Sequence, residues 1–273
     1  MNLFEETKLL LRLHRISPNK SLSQNFLIEA SIFERLAEFA SLRRNDTVLD
    51  IGAGMGFLTR SLASKCGAAI AIESDARLVN VLREQLADVI NAEIIEGDVL
   101  KLKVPPFNKI VSAPPYHISS RLLQWLFGKD FDCATLVFQK EFANRLVASV
   151  ASDNYGWLTV LTYYYAEVEL LDDVPKWMFY PPPTIDSTIV RLKPKKPRSF
   201  MLANEASFKR LLKSLFANRN RKVRNAVLPY LKRSHVFAGE GSVRVDEIIP
   251  FRDKRVRELT PKDFGALANA IIK

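Results

Sequence analysis

Three groups of residues in this sequence are of the types that bind a nucleotide. Residues 50–56 read Asp-Ile-Gly-Ala-Gly-Met-Gly, and glycines at this spacing let a backbone turn sharply and approach a ligand closely. Further along, Glu73 could accept hydrogen bonds from both hydroxyls of a ribose, as acids do in nucleotide-binding folds. Asp98 could accept a hydrogen bond from the amino group of an adenine.

The surrounding sequence alternates between strand and helix patterns. Strands are predicted at 47–50, 68–72, 92–95, 109–112 and 134–138, and helices at 57–65, 75–86, 120–127 and 140–149. Two further strands, 160–169 and 188–192, follow without a helix between them and should run antiparallel. This order predicts a doubly wound, mostly parallel α/β sheet of the Rossmann-like kind. Because such sheets bind ligands at the carboxyl ends of their strands, the three groups should meet there.

A second loop, Ser112-Ala113-Pro114-Pro115-Tyr116, follows the fourth predicted strand. The glycines of the first loop are spaced G-x-G-x-G, whereas the dinucleotide fingerprint G-x-G-x-x-G would need a glycine at Phe57. Together, the glycine spacing and the proline-aromatic loop favour S-adenosylmethionine over NAD as the cofactor.

Several segments of the chain resemble the motifs of one known family. Besides the loop at 112–116 they are 22–27 (LSQNFL), 50–56 (DIGAGMG), 139–146 (QKEFANRL), 155–159 (YGWLT), 179–187 (FYPPPTIDS) and 218–224 (NRNRKVR). They are similar, in order, to motifs of the ribosomal RNA adenine N6,N6-dimethyltransferases of the small subunit. The resemblance runs from about Ser21 to Pro194 and is weaker beyond.

The resemblance implies a role for each matched residue. The cofactor pocket would be lined by Asn25, Leu27, Gly52, Gly54, Glu73, Asp98 and Ala113. Tyr116 would stack on the target adenine and Phe179 would hold its other face, at ~1–3 kcal/mol per stacked base. The carbonyl of Pro114 would accept one N–H of the adenine amine. The basic residues Arg219, Arg221, Lys222 and Arg224 would bind phosphates of the RNA.

One position breaks the family pattern at the catalytic loop. Where the family has an asparagine whose side-chain oxygen accepts the second N–H of the amine, this chain has Ala113. Losing one oriented acceptor of this kind costs ~10²–10³ in rate. The alanine could be an engineered change, it could mark a protein that binds without methylating, or Ser112 or His117 could substitute. We favour the first, because the other loop and cofactor residues are kept.

Smaller departures also occur. Ser23 replaces a glycine, which raises the question of whether the backbone there has a positive φ. Trp157 replaces an arginine that could bind a phosphate or an acid. For Trp177 we favour packing in the core, and we interpret His117 as an incidental loop residue rather than a base.

The charge of the chain is unevenly distributed. Residues 193–273 carry 20 Lys+Arg and 7 Asp+Glu, a net charge of +13, against 20 and 23, or −3, in residues 1–192. So large an excess favours an anionic partner, and nucleic acid is the first candidate. The segment 193–198, with two prolines, reads as a linker. We therefore predict a cofactor-binding domain at 1–192 and a small, basic, all-α RNA-binding domain at 199–273.

Composition narrows the other possibilities. Cys66 and Cys133 form no disulfide framework or metal motif, and the three histidines are scattered, so we expect no metal site. No apolar run approaches the ~20 residues that span a bilayer, and Glu5 and Glu6 argue against a signal or transit peptide. We expect a cytoplasmic monomer with no membrane partner.

The resemblance thus implies an enzyme that dimethylates adenine exocyclic amines in a hairpin loop of small-subunit rRNA, within an immature ribosomal subunit. Two alternatives stay open. Ala113 supports a non-catalytic ribosome-assembly or transcription factor that retains the fold. A DNA adenine methyltransferase would share the Pro-Pro-Tyr loop, but the motifs outside that loop oppose it.

Overall fold

The computed structural model describes residues 2–234 and 249–271. Contacts between Cα atoms divide the chain into two compact units, 1–143 with 169–194, and 144–168 with 195–273. One boundary between the two units, after residue 194, falls within the predicted linker 193–198. The segment 144–168, which the sequence groups with the cofactor domain, packs instead with the C-terminal helices.

A seven-stranded sheet forms the centre of the first unit. Its strands are β2 (Thr47–Ile51), β3 (Ala68–Glu73), β4 (Ala92–Glu96), β5 (Lys109–Ser112), β6 (Cys133–Gln139), β7 (Ala166–Val174) and β9 (Ser187–Pro194). They lie in the order β4-β3-β2-β5-β6-β9-β7. Strands β2 to β6 are parallel, and β9 runs antiparallel to β6. The predicted mostly parallel, doubly wound fold is confirmed.

Of the helices that flank the sheet, the sequence predicts the last four along the chain and misses the first two. The flanking helices are α1 (Leu3–Leu13), α2 (Ala30–Phe39), α3 (Phe57–Ala63), α4 (Ala76–Gln85), α5 (Ser119–Leu126) and α6 (Lys140–Leu146). Asp75, the first residue of the predicted helix 75–86, caps α4, since its side chain accepts a hydrogen bond from the Arg77 N–H at 3.1 Å. A separate two-stranded sheet pairs β1 (Phe26–Leu27) with β8 (Phe179–Tyr180), and three short 3₁₀ helices cover Lys20–Leu22, Tyr116–Ile118 and Lys176–Met178.

One predicted strand is wrong in most of its length. The sequence assigns 160–169 to a strand, but residues Trp157–Tyr165 form helix α7 and the strand begins only at Ala166. The segment is apolar and aromatic on every side, so it shows no helical periodicity. Seven of the nine helix residues are buried. A helix that is buried on nearly all sides lacks the one-sided apolar pattern by which a sequence distinguishes a helix from a strand.

In its described residues, the second unit has helices and only the first residues of β7 as strand. Besides α7 it contains α8 (Glu205–Phe216), α9 (Val223–Ala226), α10 (Leu228–Ser234), a 3₁₀ turn at Val256–Glu258 and α11 (Pro261–Ile271). Its core is aromatic: Tyr155 packs edge-on against Phe216 at 5.7 Å between ring centroids and donates its hydroxyl to the Leu259 carbonyl at 2.7 Å. None of the helices in the described ranges is long and apolar enough to cross a membrane.

Candidate active site

The glycine loop connects β2 to α3 through backbone conformations that only glycine adopts easily. Gly52, Gly54 and Gly56 have φ values of +76°, +59° and +88°. Gly52 also lacks room for a side chain, because a Cβ there would lie 2.6 Å from Cδ of Pro115. The cofactor loop and the Pro-Pro-Tyr loop are therefore in direct contact.

Glu73 ends β3 and fixes the shape of the glycine loop. One carboxylate oxygen accepts the N–H of Gly54 at 2.9 Å, and the other accepts those of Ser74 and Asp75 at 2.7 and 2.9 Å. Burial raises the pKa of this carboxyl, while the three backbone hydrogen bonds oppose the rise. The second lone pair of the oxygen that binds Gly54 is left for a ligand hydroxyl.

Asp50 lies behind the same loop, fully enclosed. Its carboxylate accepts the Thr59 hydroxyl at 2.7 Å. Burial raises its pKa to about 7, whereas the hydrogen bond from Thr59 and the nearby Ser112 side chain lower it, and the negative charge of Glu73 adds to the rise. The sequence motifs predict no role for Asp50 beyond the start of the glycine loop.

A cavity that is partly open to solvent joins most of the predicted site residues. Its lining includes Asn25, Leu27, Gly52, Gly54, Glu73, Ala113, Pro114, Tyr116 and Phe179. Asp98 does not line this cavity. It lies in an adjoining one, with Gly97, Val99 and Arg121, and the two share Gly52, Ser74, Pro115 and His117 in their walls.

Two aromatic rings form one end of the main cavity. Tyr116 and Phe179 meet edge to face, with 6.4 Å between ring centroids and 67° between ring planes. The Tyr116 hydroxyl is hydrogen-bonded to the Ser187 hydroxyl at 2.7 Å, and burial raises the pKa of the phenol to about 12. Strand pairing places Phe179 opposite Leu27, which brings the 179–187 motif to the 22–27 motif. Trp177, two residues before Phe179, is 65% exposed, so the prediction that it packs in the core is wrong.

Several residues that organise the site were not singled out from the sequence. Gln24 accepts the Asn19 N–H at 2.7 Å and donates to the Asp75 carboxylate at 2.8 Å, which ties the N-terminal motif to the end of β3. Its place inside the 22–27 motif was the only available signal. Ser23 has φ +49° and ψ +41°, so the backbone at this glycine position of the family does need a left-handed conformation.

The predicted RNA-binding residues differ in what they already contact. Arg219 donates to the backbone carbonyls of Ser152 and Asp153 at 2.7 and 2.8 Å, which makes it part of the internal structure of the second unit. Arg224 forms an ion pair with Asp253 at 2.6 Å, and Lys222 lies 3.7 Å from the same carboxylate. Arg221 is exposed, and its side chain has no partner among residues 2–234 and 249–271.

The donors and acceptors of the main cavity fit S-adenosylmethionine. Gly52 and Gly54 line the cavity with bare backbone, and the Glu73 carboxylate, which accepts the Gly54 N–H, supplies acceptor oxygens beside them. Such a carboxylate suits a ligand with ribose hydroxyls and a sulfonium cation. Asn25 lies in the same wall and carries both a donor and an acceptor.

Fold and site together define a class I methyltransferase that uses S-adenosylmethionine. A family model described as ribosomal RNA adenine dimethylase matches residues 15–255. The chain therefore belongs to the ribosomal RNA adenine dimethylase family, as the sequence motifs predict.

Individual relatives support the same assignment. The chain is 40% identical over 256 residues, 92% of its own length and 88% of the relative's, to a probable ribosomal RNA small subunit methyltransferase A of Thermococcus kodakarensis. It is 39% identical to a protein of the same name from Methanopyrus kandleri, over 94% and 93% of the two chains.

Solved structures agree with this result. A dimethyladenosine transferase from Plasmodium falciparum superimposes with a TM-score of 0.74 at 30% identity, over 88% of this chain and 94% of that one. The 23S rRNA methyltransferase ErmE superimposes with a TM-score of 0.63 at 29% identity, over 91% and 100%.

Proposed function

We propose that this chain dimethylates the exocyclic amines of adenines in a hairpin loop of small-subunit rRNA. The observation that carries the proposal is the Tyr116–Phe179 aromatic pair, which lines the same cavity as the glycine loop and Glu73. The small subunit is favoured as the source of the RNA because the relatives at 37–40% identity are named for it, whereas the 23S enzyme ErmE is 29% identical.

The proposed chemistry assigns a task to each wall of the cavity. When bound, S-adenosylmethionine supplies an electrophilic methyl group on a positively charged sulfur. Tyr116 and Phe179 hold the unstacked target base between them. The Pro114 carbonyl accepts one N–H of the amine and so turns the nitrogen lone pair away from the ring. Asn25, Leu27, Glu73 and, from the adjoining cavity, Asp98 hold the cofactor, so that positioning provides most of the rate.

The basic second unit is proposed to bind the RNA backbone. The proposed RNA contacts include the predicted residues Arg219, Arg221, Lys222 and Arg224, of which Arg221 is the most available. We propose further that the substrate is an immature small ribosomal subunit, and that the protein acts as a cytoplasmic monomer with domains at about 1–192 and 199–273. The sequence motifs and the charge distribution support these assignments.

A transfer assay tests the proposal directly. Undermethylated small ribosomal subunits and, in parallel, large subunits are incubated with labelled S-adenosylmethionine and either this chain, Ala113→Asn or Tyr116→Ala. We expect label in adenine for this chain, a rate ~10²–10³ higher for Ala113→Asn, and loss of transfer for Tyr116→Ala. Label in large-subunit RNA instead of small-subunit RNA would overturn the proposed substrate.

A second candidate function is a non-catalytic ribosome-assembly factor. Ala113 is the observation that favours it, because the Ser112 hydroxyl is unable to take over as acceptor: it is buried and bonded to both the N–H and the carbonyl of Ile51. Tight binding of small subunits by both this chain and Ala113→Asn, with no transfer by either, would support the assembly factor.

A further inference from the structure

We propose that Ala113 makes this enzyme selective for adenines that already carry one N6-methyl group, so that it completes dimethylation faster than it begins it. The inference rests on the proposed function and deepens it, because it names the preferred substrate of the same site. It follows from counting the hydrogen-bond acceptors that the catalytic loop offers to an amine.

The polar side chains of the loop are already engaged in hydrogen bonds within the protein. The Ser112 hydroxyl donates to the Ile51 carbonyl at 2.7 Å and accepts the Ile51 N–H at 3.0 Å, with the residue fully buried. The Tyr116 hydroxyl is held by Ser187 at 2.7 Å. Ala113 lies between these two residues and carries only a methyl group.

The backbone of the loop is also largely used. The Pro115 carbonyl accepts the Ile118 N–H at 3.2 Å, and the Tyr116 carbonyl accepts the Ser119 hydroxyl at 2.8 Å. No group in the described part of the chain donates to the Pro114 carbonyl, which leaves it for the substrate amine. His117 is exposed and lies where the two cavities meet, with Arg121 and Asp98 as its charged neighbours.

The surroundings of Ala113 are apolar. Its side chain packs against the core cluster that contains Leu27, Phe33 and Phe179, and all four residues line the cavity. An N–H that points at this wall finds no acceptor, and a buried donor without a partner is costly. An N-methyl group that points at the same wall makes ordinary apolar contacts instead.

The two steps of dimethylation differ in their demand for acceptors. In each step the N6 lone pair forms the new C–N bond, the C–S bond breaks with its electrons left on sulfur, and one N–H proton passes to solvent. Adenine brings two N–H groups to the site, of which Pro114 can accept one. N6-methyladenine brings a single N–H and a methyl group, which matches one carbonyl and one apolar wall.

The test uses two hairpin RNAs that differ only in whether the target adenine carries an N6-methyl group. Single-turnover rates are measured for this chain and for Ala113→Asn, whose melting temperature confirms folding. For this chain we expect the methylated RNA to react faster by roughly tenfold or more, the effect of one unmade hydrogen bond in a closed site. For Ala113→Asn the ratio should fall towards one, because the amide oxygen accepts the second N–H.

A second measurement does not depend on turnover. The affinities of both RNAs are compared by fluorescence anisotropy with S-adenosylhomocysteine in the cofactor site, and this chain alone should bind the methylated RNA more tightly. Equal rates and equal affinities for the two RNAs would overturn the inference and leave the proposed function intact. Binding without any transfer would overturn the proposed function for this chain, and the affinity ratio would then decide the preference.

Discussion

At the scale of single residues, Asp50 illustrates how burial changes the chemistry of a side chain. A carboxyl that titrates near 3.8 when exposed has its pKa raised to about 7 by enclosure behind the glycine loop. The folded protein therefore keeps a proton between about pH 4 and 7 that the unfolded chain has released. The contribution of this bound proton to the free energy of unfolding is fully present below about pH 4 and is lost as the pH rises through 7.

The substitution Asp50→Asn should remove this pH dependence. The amide has the same shape and can still accept the Thr59 hydroxyl, but it never ionises. We expect the free energy of unfolding, measured with urea at pH 5 and pH 8, to fall less with pH in the variant than in the parent protein. The difference should be on the order of 1 kcal/mol per pH unit within the window. Parallel pH profiles for the two proteins would show that Asp50 ionises normally.

At the scale of elements, the site depends on the loop between β2 and α3 lying against the loop after β5. The contact is direct at Gly52, where both the positive φ and the distance of 2.6 Å to Pro115 exclude a side chain. Since Ala113, Pro114 and Tyr116 continue from β5 into the cavity, any shift of one loop displaces the other. The residues proposed to hold the cofactor and the target base thus share one packing contact.

The substitution Gly52→Ala should therefore impair both stability and cofactor binding. The left-handed backbone alone costs roughly 1–2 kcal/mol for an alanine, and the overlap with Pro115 adds to it. We expect a lower melting temperature and weaker binding of S-adenosylhomocysteine by calorimetry. Gly128→Ala is the matched control, because a Cβ there would meet only the Trp125 carbonyl at 3.5 Å. Unchanged cofactor affinity in Gly52→Ala would contradict the close packing of the two loops.

At the scale of the whole molecule, charge is separated along the chain. The net charge of +13 on residues 193–273 contrasts with −3 on residues 1–192. Yet the cations of the 218–224 motif are not equivalent, since Arg219 supports the 152–153 loop, and Lys222 and Arg224 share Asp253. The salt dependence of RNA binding distinguishes a cation that contacts phosphates, and so releases counterions, from a cation that stabilises the fold.

The substitutions Arg221→Gln and Arg219→Gln should act differently. For Arg221→Gln we expect weaker RNA binding and a log–log salt slope reduced by about one, with an unchanged melting temperature. For Arg219→Gln we expect a lower melting temperature, because two backbone carbonyls lose their donor. Binding isotherms at several salt concentrations, combined with thermal melts, measure both. A salt slope unaffected by Arg221→Gln would remove it from the RNA-binding surface.

Much of the fold and of the cofactor site follows from the sequence alone. Buried parallel strands read as short apolar runs, and the glycines at 52, 54 and 56 are required by local backbone geometry, so both are visible without tertiary contacts. The position of Glu73 at a strand end, and the cap at Asp75, follow from the same local patterns.

Tertiary structure alone decided the rest, because these features depend on what each residue packs against. The sequence does not show that Trp157–Tyr165 is a helix, because seven of its nine residues are buried and the one-sided apolar periodicity of a surface helix is absent. Trp177 is exposed, Asp98 lies in a cavity of its own, and Arg219 is engaged by backbone carbonyls. Tertiary structure also determines which acceptors near Ala113 are occupied, because residues distant in sequence, such as Ser187 and Ile51, form hydrogen bonds with them.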